Sequence, residues 1–296
     1  MRAVLLACVS TLLAASVAAA APQSHRTDGQ IAVATTSGHI VLIDPGGHRL
    51  TTLTRRAGAS DWAPAWSPDG QSVAFARSTD GRRSFHVYVM SADGSGVRQI
   101  THGRFDESPA WSPDGRWIAY AGAGGIRIVH PNGSGSRSIR GTGIIRPNYS
   151  EPYATLPSWT PDGRLSFSFH PEVSQDWPAS CRAATAHCGW VFVGDRDGRH
   201  RTPVVRGRDA HWSPDARAIV FTPSNGGVAV RTGGKRHFLG RGYLANWSPD
   251  GTRIVYARLG MTAAGDAIWI MNPNGRGAHR IMNGASDPAW RPTAVP

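Results

Sequence analysis

The amino-acid sequence predicts an all-β, six-bladed β-propeller in which strands from the two ends of the chain close one blade. Three observations carry this expectation. The motif Trp-Ser-Pro-Asp-Gly recurs unchanged at Trp66–Gly70, Trp111–Gly115 and Trp247–Gly251, with near copies at Trp159–Gly163 and Trp212–Ala216 and a shortened sixth at Trp290-Arg-Pro292. Successive tryptophans stand 45, 48, 53, 35 and 43 residues apart, the period of a four-stranded blade. The pattern also starts out of phase: Asp28-Gly29 runs straight into Gln-Ile-Ala-Val-Ala, and Asp287–Trp290 supplies an inner strand with no second strand after it. The two fragments complete one blade, and closing the ring in this way removes exposed sheet edges.

The elements follow in order. Residues 1–21 read as a cleaved signal peptide: Arg2 is a positive n-region, Ala3–Ala21 is apolar, and Ala18-Ala19-Ala20 is a small-x-small cleavage site. A retained membrane anchor is the alternative, and Leu5-Leu6-Ala7-Cys8 faintly resembles a lipoprotein box. Residues 28–292 then form a single propeller domain. Its first complete repeat shows the grammar of a blade. Ala63–Trp66 reads as the inner strand, Ser67–Gly70 as a tight turn, Ser72–Arg77 as the second strand, Phe85–Met90 as the third and Val97–Thr101 as the outer one. Asp-Gly and Asn-Gly turns, which accept positive φ at both central residues, recur at Ala92–Ser95, Pro131–Gly133, Asp197-Gly198 and Pro273–Gly275. With 35 glycines and 21 prolines among 296 residues, the composition favours many short strands over helices.

The recurring tryptophans read as packing between neighbouring sheets, and the aspartates after them as turn residues. The repeat resembles that of the TolB-type propellers, relatives of WD-repeat proteins, over roughly residues 28–292. The resemblance implies a propeller fold. TolB carries a further α/β domain before its propeller, whereas only Ala21–Thr27 stand between the predicted signal and the first blade here. The partner of TolB is therefore not carried over.

Formal net charge is +12, and of the 32 basic residues all but Lys235 are arginine. The arginines are dispersed, with no basic cluster interleaved with aromatic platforms, so no nucleic-acid partner is expected. Loss of Cys8 with the signal would leave Cys181 and Cys188, which in an exported chain most simply form a local disulfide. Metal binding with His170 and His187 is the rival reading.

Blade topology sorts the connections. Turns between strands one and two, and three and four, lie on one face and are short. Connections between strands two and three, and into the next blade, lie on the other and are long: 78–84, 102–108, 141–156, 170–189 and 259–266. Long loops gathered on one face of a rigid scaffold are where binding resides. The candidate ligand-binding residues are Arg104, Arg146, Tyr153, His170, Trp177, Asp209, Tyr243 and Asp287. Asp209 and Asp287 hold equivalent positions three residues before Trp212 and Trp290, occupied elsewhere by Ala63, Ser108, Leu156 and Leu244.

No metalloprotease, phosphate-loop, dinucleotide or Gly-x-Ser-x-Gly signature is present, and no catalytic residue is assigned. The expected function is an exported binding or scaffolding propeller, secreted or held at the cell envelope. It would be a monomer without a transmembrane segment after cleavage, engaging a protein or cell-envelope polymer through its long-loop face. The alternative is a propeller lyase, lactonase or glycan hydrolase with a metal or carboxylate site at the channel mouth. No cofactor is expected for the binding reading, whereas the paired aspartates of the alternative could take calcium.

Overall fold

A computed structural model describes residues 29–122, 124–140, 142, 156–169, 189–260 and 265–293. The expected signal peptide, Arg146, Tyr153, His170, Trp177 and the Cys181–Cys188 pair lie outside these residues.

The described chain forms six antiparallel sheets of four strands each. Blade 1 joins β1 (Ile31–Thr35), β2 (Ile40–Ile43) and β3 (Arg49–Thr52) to the last strand, β24 (Ala285–Trp290). Blade 2 holds β4 (Ser60–Trp66), β5 (Ser72–Ser78), β6 (His86–Ser91) and β7 (Arg98–Gln99). Blade 3 runs through β8 (Glu107–Trp111), β9 (Ile118–Gly122), β10 (Gly125–Val129) and β11 (Arg137–Ser138). Blade 4 has β12 (Ser158–Trp159), β13 (Leu165–Phe169), β14 (Trp190–Gly194) and β15 (Thr202–Arg206). Blade 5 comprises β16 (Arg208–Trp212), β17 (Ala218–Thr222), β18 (Val228–Thr232) and β19 (Lys235–Gly240). Blade 6 comprises β20 (Tyr243–Trp247), β21 (Ile254–Arg258), β22 (Ala267–Met271) and β23 (His279–Asn283).

The ring closes as the phase of the repeat predicts. Ile31 pairs with Trp290 and Ala32 with Ala289. Arg291 strengthens this junction: its backbone N–H donates to Gln30 O at 2.7 Å, and its guanidinium bonds Gln30 Oε1 (2.7 Å) and Gly70 O (3.0 Å) while lying 4.8 Å over the Trp66 ring.

The core is distributed around the ring rather than held at its centre. Because successive strand residues face opposite sides of a sheet, each middle strand serves two gaps. Ile31 and Val33 pack against Val255 and Ile268 of blade 6, whereas Ala32 packs with Val73 and Phe75 of blade 2. Among the described residues, buried apolar side chains form such a cluster in every gap between neighbouring blades.

Several strand limits differ from those the sequence suggests. The third strand of blade 2 starts at His86 because Phe85 bridges in parallel to Phe105 instead. The outer strand shrinks to Arg98–Gln99 because the Thr101 hydroxyl, not a backbone carbonyl, accepts the Val87 N–H at 2.9 Å. Thr54 and Thr142 do the same for Ile40 and Ile126, each at 2.9 Å. The inner strand of blade 2 begins earlier, at Ser60, and bends at Ala63.

Candidate functional site at the channel mouth

The two faces of the ring are built differently, and the repeat explains one of them. In the first turn of blade 2, Ser67 Oγ donates to Asp69 Oδ1 (2.5 Å) and accepts from the Ser72 N–H (2.9 Å), while the Gln71 N–H donates to Asp69 Oδ1 (3.0 Å). The hydroxyl–carboxylate pair recurs at Ser112–Asp114, Thr160–Asp162, Ser213–Asp215 and Ser248–Asp250. The hydroxyl holds the Asp69 carboxyl below its ordinary range. These aspartates are consumed by turn formation, and the connections on this face are short.

The opposite face is shaped by a bulge near the start of the inner strands. Ala63, Ser108, Asp209, Leu244 and Asp287 all have φ between 49° and 53°, and the ladder register shifts beside each of them. An extra residue in the left-handed region kinks the strand and re-aims its side chain. All five line a central channel of about 500 Å³, to which the inner strands of all six blades contribute. Alternation then decides what reaches the channel: Asp209 and His211 line it while Ala210 between them is buried in the gap toward blade 4.

The wall is chemically lopsided. One side carries Asp209 and His211 of blade 5, Asn246 of blade 6, Ser158 of blade 4 and Asp287 of blade 1. Blades 2 and 3 contribute Ala63, Ala65, Ser108 and Ala110. Asp209 is only 4% exposed, and its Oδ1 has no hydrogen-bond partner. Its Oδ2 lies 3.7 Å from Arg208 Nε. Burial pushes the Asp209 carboxyl up to about 6 against the pull of Arg208, and the charge of Asp287 adds to the rise. Burial likewise raises Asp287, whose Oδ2 accepts from Ser286 Oγ at 2.5 Å and whose charge is partly offset by Arg82. Burial pushes the His211 imidazole down to about 4, so it is neutral at physiological pH.

Around this mouth the long connections supply a rim. Asp80 ties the connection between β5 and β6 together: its Oδ1 accepts from Ser78 Oγ and from the Arg83 and Ser84 N–H groups, and its Oδ2 from Ser84 Oγ. This presents Arg82 5.5 Å over the Trp62 ring. Trp62 meets Phe85 edge-on at 5.2 Å, Phe85 meets Phe105 at 5.2 Å, and Arg104 lies 5.1 Å over Phe105. The result is a partly exposed aromatic ridge with an arginine at each end.

Of the residues singled out by sequence, Asp209 and Asp287 line the channel and interact electrostatically. Arg104 is exposed at the far end of the ridge. Tyr243 is bonded to the connection that follows β21. Its hydroxyl donates to Asp266 Oδ2, which pins the end of the connection 259–266 and raises the phenol further above its usual range than burial alone does. Sequence reasoning missed Trp62, Arg82, Phe85, Phe105, His211 and Asn246. The last two were findable, since they stand one position before Trp212 and Trp247, where other blades have Ala or Ser. Among the described residues, no group of three or more His, Cys, Asp or Glu is placed to hold a metal ion.

The TolB beta propeller domain model matches residues 32–175. No curated protein matches the sequence. Among solved structures, a chain of the nidogen/laminin complex aligns with TM-score 0.67 at 11% identity, covering 90% of this chain and 99% of that one. A putative TolB from Agrobacterium tumefaciens aligns with TM-score 0.60 at 15% identity, covering 87% and 90%. Hydrazine synthase from Kuenenia stuttgartiensis aligns with TM-score 0.62 at 16% identity, covering 88% of this chain but 46% of that one. At such identities the likenesses speak for the fold alone.

Proposed function

We propose, starting from a chain that is a TolB-type β-propeller, that it is an exported binding module engaging a protein or cell-envelope polymer through its long-loop face. The observation that carries this reading is the asymmetry of the two faces. One end of the channel is bordered by short, self-bonded turns, whose Pro68, Pro113, Pro161, Pro214 and Pro249 line it, while the face at the other end carries the bulge-presented polar groups and the arginine–aromatic ridge. Partly exposed aromatic rings beside arginines are favoured at interfaces because they bury area at low entropic cost. The ridge is also ordered in advance by Asp80, which lowers the cost of binding.

Export rests on the amino-terminal segment, with Arg2 ahead of an apolar run and a small-residue cleavage site. Among the described residues, no helix is long and apolar enough to cross a membrane.

The test compares the two faces. Tagged protein carrying Arg82→Glu with Arg104→Glu is expected to lose specific co-purifying material from native envelope, identified by mass spectrometry. Arg116→Glu with Arg164→Glu on the turn face is expected to retain it. Equal recovery by both would contradict the reading. A second, enzymatic reading draws on the raised Asp209 carboxyl facing a cavity, a feature of general acids. Turnover of a glycan or lactone panel, lost in Asp209→Asn, would favour it.

A further inference from the structure

Asp209 is the anomaly of the channel. A left-handed bulge position favours Asp, but Asn satisfies the backbone equally well, so the conformation alone does not call for a charge. Yet a carboxylate is present, 4% exposed, with Oδ1 unpartnered and only a long 3.7 Å ion pair at Oδ2. The neighbouring Thr222 hydroxyl, also buried and outside hydrogen-bond geometry, is near enough to favour the ionised form of this carboxyl. On the same side of the channel stand His211 and Asn246, both half-buried. Buried polar groups are ordinarily paired. Asp209 departs from that rule while lining, on the same side as His211 and Asn246, a cavity of about 500 Å³, a volume suited to a small ligand or the end of a larger one.

We propose that this wall binds a primary ammonium group, with Asp209 Oδ1 as its anionic partner and Asp287, His211 and Asn246 as flanking acceptors. The chemistry selects among cations. A divalent metal ion requires several converging oxygen ligands, and no group of three His, Cys, Asp or Glu of the described residues is so placed. A guanidinium prefers both oxygens of one carboxylate, but Oδ2 of Asp209 already faces Arg208. An ammonium is a compact charge with three donors and no acceptor. It suits one anionic oxygen with an imidazole and an amide on the same side of the channel. The proposal rests on the channel mouth being the recognition site, and it names the group that enters there.

The test is calorimetric titration in amine-free phosphate buffer, with indole fluorescence as a second readout because Trp212 and Trp247 border the wall. Butylammonium is expected to bind saturably, while butanol and tetramethylammonium, which lack the charge or the N–H donors, are not. Asp209→Asn is expected to weaken butylammonium by about tenfold or more, the scale of one charge-assisted hydrogen bond in a desolvated site. Asp93→Asn, in a turn on the opposite face, is expected to leave it unchanged. Triglycine compared with acetyl-triglycine separates a peptide amino terminus from a free small amine as the source. Equal binding by Asp209→Asn and wild type, equal binding of tetramethylammonium, or no saturable binding by wild type would each overturn the assignment. Retained envelope capture with no ammonium binding overturns this inference alone, whereas equal capture by rim and turn-face variants overturns the broader reading.

Discussion

The indole N–H of Trp111 donates to the backbone carbonyl of Ala65 at 3.2 Å, across the gap between blades 2 and 3. Trp159 reaches Ala110 O at 3.0 Å and Trp247 reaches His211 O at 3.1 Å in the same way. In blades 3, 4 and 6 the repeated tryptophan thus stitches the inner strand to its neighbour as well as filling the gap. Trp66, Trp212 and Trp290 occupy the equivalent positions with Nε1 buried and unpartnered.

That difference separates packing from hydrogen bonding. Trp247→Phe and Trp212→Phe remove similar volume, but only the first breaks a bond and strands a carbonyl. Trp247→Phe is expected to cost about 1 kcal/mol more in urea unfolding. Equal losses would mean that the indole bond contributes nothing net.

Ala216 stands where the other complete repeats have glycine and takes φ 60°. Relief of left-handed strain outweighs the extra chain entropy of glycine at such a site. Ala216→Gly is expected to raise stability by about 0.5–1 kcal/mol, and Gly251→Ala at the equivalent turn, φ 70°, to lower it by a similar amount.

These features mark what was legible in the sequence. Trp-Ser-Pro-Asp-Gly announces itself because the indole fills the gap, the hydroxyl and carboxylate bond within the turn, and glycine takes the left-handed φ without strain. The pairing of β1 with β24 followed from phase alone. The bulge did not, because Ala63, Ser108, Asp209, Leu244 and Asp287 share a backbone conformation but no residue type. The arginine–aromatic ridge was equally hidden, since Trp62, Phe85 and Phe105 come from separate segments that meet through the bridge between Phe85 and Phe105 and the ring contact of Trp62 with Phe85. Asp61 and Arg77 likewise gave no signal of their pairing.

Arg77 bonds Asp61 through Nε (2.6 Å) and Nη2 (2.8 Å), with both side chains buried and the guanidinium near the Phe75 and Tyr88 rings. Breaking one side of such a pair leaves a buried charge alone. Asp61→Leu is expected to destabilise by about 3–5 kcal/mol. The double variant with Arg77→Met is expected to recover much of that loss, as measured by denaturant midpoint.

Asp209 makes stability depend on pH in a defined direction. It binds its proton more tightly in the folded chain, at about 6, than at its ordinary value of 3.8. Its contribution is therefore complete below the unfolded value and is lost as pH rises through about 6. Asp209→Asn removes this slope. Its stability is expected to exceed that of wild type by a margin that opens above about pH 4 and levels near neutrality at about 2–3 kcal/mol. A margin independent of pH would contradict burial as the cause.

The central claim, recognition at the long-loop end of the channel, is tested most directly by photo-crosslinking in native envelope. A photoreactive residue is placed either at Arg104 on the rim or at Arg164 in a turn of the opposite face. The account predicts discrete, mass-identifiable adducts from position 104 and none from position 164. Adducts from 164 alone, or the same set from both, would contradict it.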